Sequence, residues 1–164
     1  MQGEKRSARR VVVTGMGVVT PVGNDVPSTW QALLSGKSGG GRIAAFEATE
    51  DFPTRIAAEV KGFDPSTFLD TKEARRFDRY AQFALAAAIE AMRQAGWDGP
   101  PSGVPKERIG VVWGSGIGGI STLEENARII AEKGPKRVSP FFIPMFIPDI
   151  AAGLISIQIG RAHV

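Results

Sequence analysis

Residues 108–119 read RIGVVWGSGIGG. The first seven are largely apolar and β-branched, the pattern of a strand buried on both faces. Gly114, Gly116 and Gly119 then follow in G-x-G-x-x-G spacing. Between a strand and a helix, that spacing is the dinucleotide fingerprint, whose glycines let a pyrophosphate approach the helix N-terminus. The fingerprint also requires an acid about 20 residues further on, at the end of a second strand. Here that region is EKGPKRVSP, residues 132–140, basic and interrupted by proline. A tight strand-to-helix turn is the stronger reading. The earlier TGMGVVTPVG, residues 14–23, fails the same test, because Thr20 takes the third glycine's place.

Working outward, segments alternate in type. RRVVVTG (9–15) reads as a buried strand, and DVPSTWQALLSG (25–36) as a short helix capped by Asn24 or Asp25 and stopped by Gly36. TRIAAEV (54–60) is a second strand candidate. The longest helix is expected from Thr71 to Ala95, with Asp70 and Glu73 as a capping box and Gly96 as its stop. Its centre, ALAAAIEA, is small-sided and suits close packing. The strand 108–114 leads into a helix over 121–134, where Ser121 and Glu124 form the S-x-x-E pattern. Strands alternating with helices predict an α/β fold with a mostly parallel sheet flanked by helices.

Composition narrows the function classes. The chain has 164 residues, 43% of them hydrophobic and 23% charged, enough for one ordinary domain. A net charge of +3 gives no support to nucleic-acid binding, which calls for a basic stripe or patch. With no cysteine there is neither a disulfide scaffold nor a thiolate metal site, and no other metal-ligand cluster stands out. No signal-peptide h-region opens the chain, so a cytoplasmic setting is expected. The apolar run 141–159 contains Pro144, Pro148 and Asp149, which argues against a membrane span and for a buried loop followed by a helix.

Two features point to binding. Lys72, Arg75, Arg76 and Arg79 share helical spacing, and Lys136 and Arg137 supply a second basic turn. Cations oppose the dipole at a helix start. The cluster is therefore either a solvated face, offset by Glu73 and Asp78, or an anion-binding edge for an acidic partner. SPFFIPMFIPDIAAGLISI (139–157) crowds aromatic and aliphatic residues between prolines, as a core, a subunit interface or an apolar-ligand pocket would. For catalysis the inventory is poor: no cysteine, no G-x-S-x-G elbow, and one histidine, His163.

RRVVVTGMGVVTPVGN, WQALLSGKSG, GSGIGG and SPFFIPMFIPDIAAGLIS, in this order, resemble the N-terminal part of a β-ketoacyl-[acyl-carrier-protein] synthase, most closely the elongating synthase II type. The resemblance runs from Arg9 to Ile157. It implies an incomplete thiolase-like layered α/β fold and, for the intact parent, a homodimer without metal or organic cofactor. It also implies condensation of an acyl thioester with malonyl-carrier protein, with loss of carbon dioxide. A cysteine nucleophile and two histidines serve that reaction in the family, and all three lie beyond the matching region. The chain alone is therefore expected to be inactive. By the same resemblance, Lys72, Arg75, Arg76, Lys136 and Arg137 meet the acyl carrier protein, which bears the acyl chain on its phosphopantetheine arm. Ile117 gates the acyl pocket, and Phe141 and Phe142 lie near that pocket and the dimer interface. A non-catalytic partner of the chain-length-factor type is the alternative, and a dinucleotide-binding oxidoreductase a more distant one.

After Ile157 the family pattern breaks. Ile159–Val164, IGRAHV, is what one frame of a common sequencing adapter encodes, so residues 158–164 are expected to be a non-native tail and 1–157 the partial synthase domain. His163 then carries no role.

Overall fold

A computed structural model describes residues 10–99 and 101–160; Arg9 and the segment 161–164, with His163, lie outside the described residues. The first helix, α1, spans Val26–Leu34. Asp25 starts it from an extended backbone, its carboxylate accepting the Ser28 N–H at 2.7 Å. Gly36 leaves it at φ +68°, a left-handed conformation that glycine adopts without steric penalty. A small antiparallel hairpin follows, β1 (Gly40–Arg42) against β2 (Ile56–Ala58), with Gly41 opposite Ala57. The Glu59 carboxylate, accepting the N–H groups of Ala44 and Ala45, braces its arm.

The helix expected over 71–95 is two helices, α2 (Thr71–Ala74) and α3 (Arg79–Gln94). Asp70 caps α2 as expected, accepting the Glu73 N–H at 2.7 Å. The chain then breaks at Asp78, whose ψ of 158° is extended rather than helical. Gln82 repairs the break by donating from its side-chain nitrogen to the carbonyls of Ala74 and Phe77, which have lost their helical partners.

Helix α4 spans Ile120–Lys133, α5 spans Phe142–Phe146 and α6 spans Ile150–Gln158. The Ser121–Glu124 pattern does not cap α4; its N-cap position is Gly119. The run 141–159 is thus two short helices, and no described helix is long and apolar enough to cross a membrane. Helix α6 continues through Gln158, and Ile159 beyond it is buried.

The core lies between α3 and α6. Ala84 and Leu85 meet Ala151 and Ile155, with Phe68, Tyr80, Ala88 and Val111 packed around them. Small side chains let the two helices approach closely, and full burial of Leu85 or Ile155 is worth roughly 1.5–3 kcal/mol. On another side of α3, Gly15 and Gly17 rest directly on the helix backbone: a Cβ at either would collide with the carbonyl oxygen of Ala91 or Ala87. The Met16 and Val18 N–H groups donate to Gln94 and Glu90 of the same helix.

The α/β architecture is present, but the mostly parallel sheet is not assembled. Among the described residues the only sheet is the antiparallel pair β1–β2. The expected strands at 10–15 and 108–114 run without a ladder, and residues 106–108 form a 3₁₀ turn. Val11, Val13 and Val112 are 92%, 81% and 99% exposed, although their sequence is that of buried strands. A strand buries such residues only when neighbours take up its N–H and C=O groups and cover its faces. The described residues provide no such neighbour.

Candidate functional site

The site is built around the break between α2 and α3. Arg76, in the break, places its guanidinium carbon 5.4 Å from the centroid of the Phe141 ring. Asp78 turns away from its own helix and toward α4: one carboxylate oxygen accepts the Thr122 N–H at 3.1 Å and the Thr122 hydroxyl at 2.5 Å. Arg79 donates to the Val60 carbonyl at 3.0 Å and lies over the rings of Phe63 and Phe83, at 5.8 and 4.9 Å. Tyr80 donates its hydroxyl to the carbonyl of Ile147, in the turn before α6. Burial, with Asp78 and Asp149 nearby, raises the Tyr80 phenol above its usual range, so it remains a donor at neutral pH.

The glycine loop 114–119 is a packing device. Gly118 has φ +80°, its N–H donates to Ser115 Oγ at 3.0 Å, and a Cβ there would strike the Phe146 carbonyl. The Gly119 N–H donates to that same carbonyl at 2.9 Å. The N–H groups of Gly118, Gly119, Ile120 and Thr122 therefore already have partners, and an acid, Asp78, stands against the helix end. A pyrophosphate would meet a like charge in Asp78 and amides already bonded, which disfavours the dinucleotide alternative here.

Of the residues expected to bind, Ile117 sits on this loop, 60% exposed. Phe141 is 45% exposed, and Phe142 is half-buried and stacked on Phe146 with ring centroids 5.8 Å apart. Lys72, Arg75, Arg76, Lys136 and Arg137 are all exposed and make no ion pair with a described residue. Among the described residues Asp78 makes no ion pair with these cations; one of its carboxylate oxygens accepts from Thr122 instead. The structure joins Arg76 to Phe141. It does not join Lys136 or Arg137 to α2: they form a 3₁₀ turn after α4, and Arg137 borders a shallow hollow with Ile129 and Lys133.

Beside the loop, a cleft of about 340 Å3 runs between residues 17–20 and 113–115, floored by Tyr80, Phe83, Ala84 and Ala87 of α3. An apolar hollow of about 440 Å3 lies between α3, α6 and residues 108–113. The sequence reading missed Asp78, Glu90 and Tyr80 as tertiary anchors. Their partners are 44 to 72 residues distant, so no local spacing announces them.

The chain is a partial α/β fragment, and its structural neighbours are thiolase-like condensing enzymes. A beta-ketoacyl synthase from Burkholderia phymatum superposes with a TM-score of 0.75 at 27% identity, over 90% of this chain and 36% of that one. The ishigamide ketosynthase/chain length factor gives 0.74 at 25%, over 93% and 38%. The fold is also that of a type II polyketide ketosynthase solved with its acyl-carrier protein, at 0.72 and 21%, over 92% and 38%.

The chain belongs to the beta-ketoacyl synthase family: residues 8–162 match the beta-ketoacyl synthase N-terminal domain. It is 47% identical over 152 residues to 3-oxoacyl-[acyl-carrier-protein] synthase 2 of Staphylococcus aureus strain COL, covering 93% of this chain. The corresponding synthase of Coxiella burnetii is 48% identical over 150 residues, or 92% of this chain. In both cases the chain spans 36% of the relative's length.

Proposed function

We propose that this chain supplies the carrier-docking edge and one wall of the acyl pocket in an elongating β-ketoacyl-[acyl-carrier-protein] synthase. The carrier protein, an acidic partner, docks on Lys72, Arg75 and Arg76, and meets Lys136 and Arg137 on their separate turn after α4. Its phosphopantetheine arm then delivers the acyl chain toward Ile117, Phe141 and Phe142. One observation carries this reading: Arg76 of the basic edge lies over Phe141 of the aromatic segment, so a partner held at the first is beside the second.

In the complete synthase the acyl group passes from the carrier's thioester to a cysteine thiolate, releasing the carrier thiol. The malonyl unit loses carbon dioxide, and the resulting carbanion attacks the enzyme-bound thioester and expels the thiolate. This chain contains no cysteine, so alone it forms no acyl-enzyme and condenses nothing. A cytoplasmic location and a homodimer belong to the same proposal, as does the assignment of residues 158–164 to a non-native tail. Long sequencing reads across the codons for Leu154–Val164 test that assignment.

The reading is tested in a complete synthase carrying this sequence. Reversing Lys72, Arg75 and Arg76 together to Glu is expected to raise KM for acyl-carrier substrate about tenfold or more, with the loss deepest at low salt. An unchanged KM across salt concentrations overturns it. Likeness to a ketosynthase/chain length factor favours a second reading, a non-catalytic partner. Condensing activity of the complete protein, purified without a second synthase, decides against that one.

A further inference from the structure

We infer that Asp78 is a positioning residue that ties the carrier-docking edge to the acyl gate, so that both depend on one carboxylate. The inference rests on the reading just proposed for Arg76 and Ile117. Asp78 occupies the N-cap position of α3, where a carboxylate ordinarily accepts an N–H from its own helix. It makes no such bond. Instead it holds both the amide and the hydroxyl of Thr122, 44 residues away in the first turn of α4. A carboxylate accepting two donors gives charge-assisted bonds, shorter and stronger than neutral ones.

The contact reaches the gate directly. Gly119 is buried, and a Cβ built on it would stand 2.9 Å from the same Asp78 oxygen. The Gly119 N–H is held from the other side by the Phe146 carbonyl. The loop bearing Ile117 is thus clamped at its C-terminal end between Asp78 and α5. Two neighbours of Asp78 complete the bracket: Arg76 grips Phe141 at the start of α5, and Tyr80 grips Ile147 before α6. Residues 76, 78 and 80 therefore each hold a different element around the pocket; Arg76 belongs to the basic edge, and Asp78 and Tyr80 follow directly on it. A shift of that edge on docking moves the loop with it.

The test uses a complete synthase carrying this sequence, assayed with short and long acyl chains on the carrier protein. Asp78→Asn and Thr122→Val are each expected to change the long-to-short ratio of kcat/KM by about tenfold, the order lost with one charge-assisted hydrogen bond. Thr122→Ser, which keeps the hydroxyl, holds the parent ratio. A merely structural role lowers Tm and all substrates alike, leaving the ratio fixed. Ile117→Trp is the control for the gate. If Ile117→Trp shifts the ratio while Asp78→Asn and Thr122→Val leave it at the parent value, the inference alone is overturned. If Ile117→Trp itself has no effect, the gate reading fails and takes the inference with it. Should Asp78→Asn not fold, Thr122→Val, which removes only one hydroxyl, decides by the same ratio.

Discussion

Arg76 lies over the ring of Phe141, guanidinium carbon to centroid 5.4 Å, and so fastens the break between α2 and α3 to the start of α5. A planar guanidinium can stack in this way while its edge still reaches a carboxylate or phosphate; an ammonium cannot do both. Arg76→Ala is expected to destabilise the complete synthase by about 0.5–1 kcal/mol, a value typical of an exposed cation–π pair. Arg76→Lys should fall between parent and Ala in both melting temperature and carrier affinity. Calorimetry and carrier titration check this, and a Lys variant equal to the parent in both refutes it.

Glu90 joins three parts of the chain through one carboxylate. From α3 it accepts the Val18 N–H at 2.9 Å and the Val26 N–H, the first of α1, at 2.7 Å. Glu90→Ala leaves both half-buried donors without their partner, a loss of about 1–3 kcal/mol. Glu90→Gln, which keeps an acceptor oxygen, should lose less. Denaturant unfolding of the two variants separates the cases; equal stabilities would show that the oxygen Gln retains contributes nothing.

Gly17 and Gly118 tolerate no side chain for different reasons. A Cβ at Gly17 meets the Ala87 carbonyl of α3, whereas Gly118 combines a φ of +80° with the nearby Phe146 carbonyl. Gly17→Ala must lift its segment off α3, and overpacking of this kind costs about 1–3 kcal/mol. Gly118→Ala adds backbone strain and moves the Ile117 loop. The acyl-chain preference should therefore change in Gly118→Ala and hold in Gly17→Ala, as product profiles can determine.

Taken alone, the 164-residue chain should associate. Val11, Val13 and Val112 are exposed on extended segments whose backbone groups have no ladder partner among the described residues. Unpaired strands with apolar side chains pair with other copies. Sedimentation should give a concentration-dependent mass, and an apolar dye should bind strongly. A monodisperse monomer that unfolds cooperatively would count against this picture.

Below about pH 4 the cap of α1 should weaken. Hydrogen bonds from Ser28 hold the Asp25 carboxyl below its usual range. A carboxyl whose pKa is depressed on folding adds stability at pH values above its unfolded pKa, and that stability is lost as pH falls through the folded value. Asp25→Asn keeps an N-cap acceptor without the titration. Its neutral-pH stability should stay near the parent's while the acid limb of the stability curve becomes shallower. Unchanged acid limbs in parent and variant would exclude Asp25 as a contributor.

Local signals in the sequence determined the helices and several of their ends. Asp25 and Asp70 cap where they were expected to, because a cap bond spans three residues and needs no tertiary partner. The motif order determined the family. Tertiary structure alone decided the rest. The long helix breaks at Asp78, where the backbone turns extended and the carboxylate bonds Thr122 across 44 residues, and α4 starts at Gly119 rather than at a Ser121 cap. Gly15 and Gly17, which in sequence only begin a failed dinucleotide fingerprint, are required by the surface of α3. The strands at 10–15 and 108–114 carry the composition of a sheet interior without forming one. A helix closes its hydrogen bonds within its own segment; a strand closes them only against another part of the chain, and its composition does not identify that part.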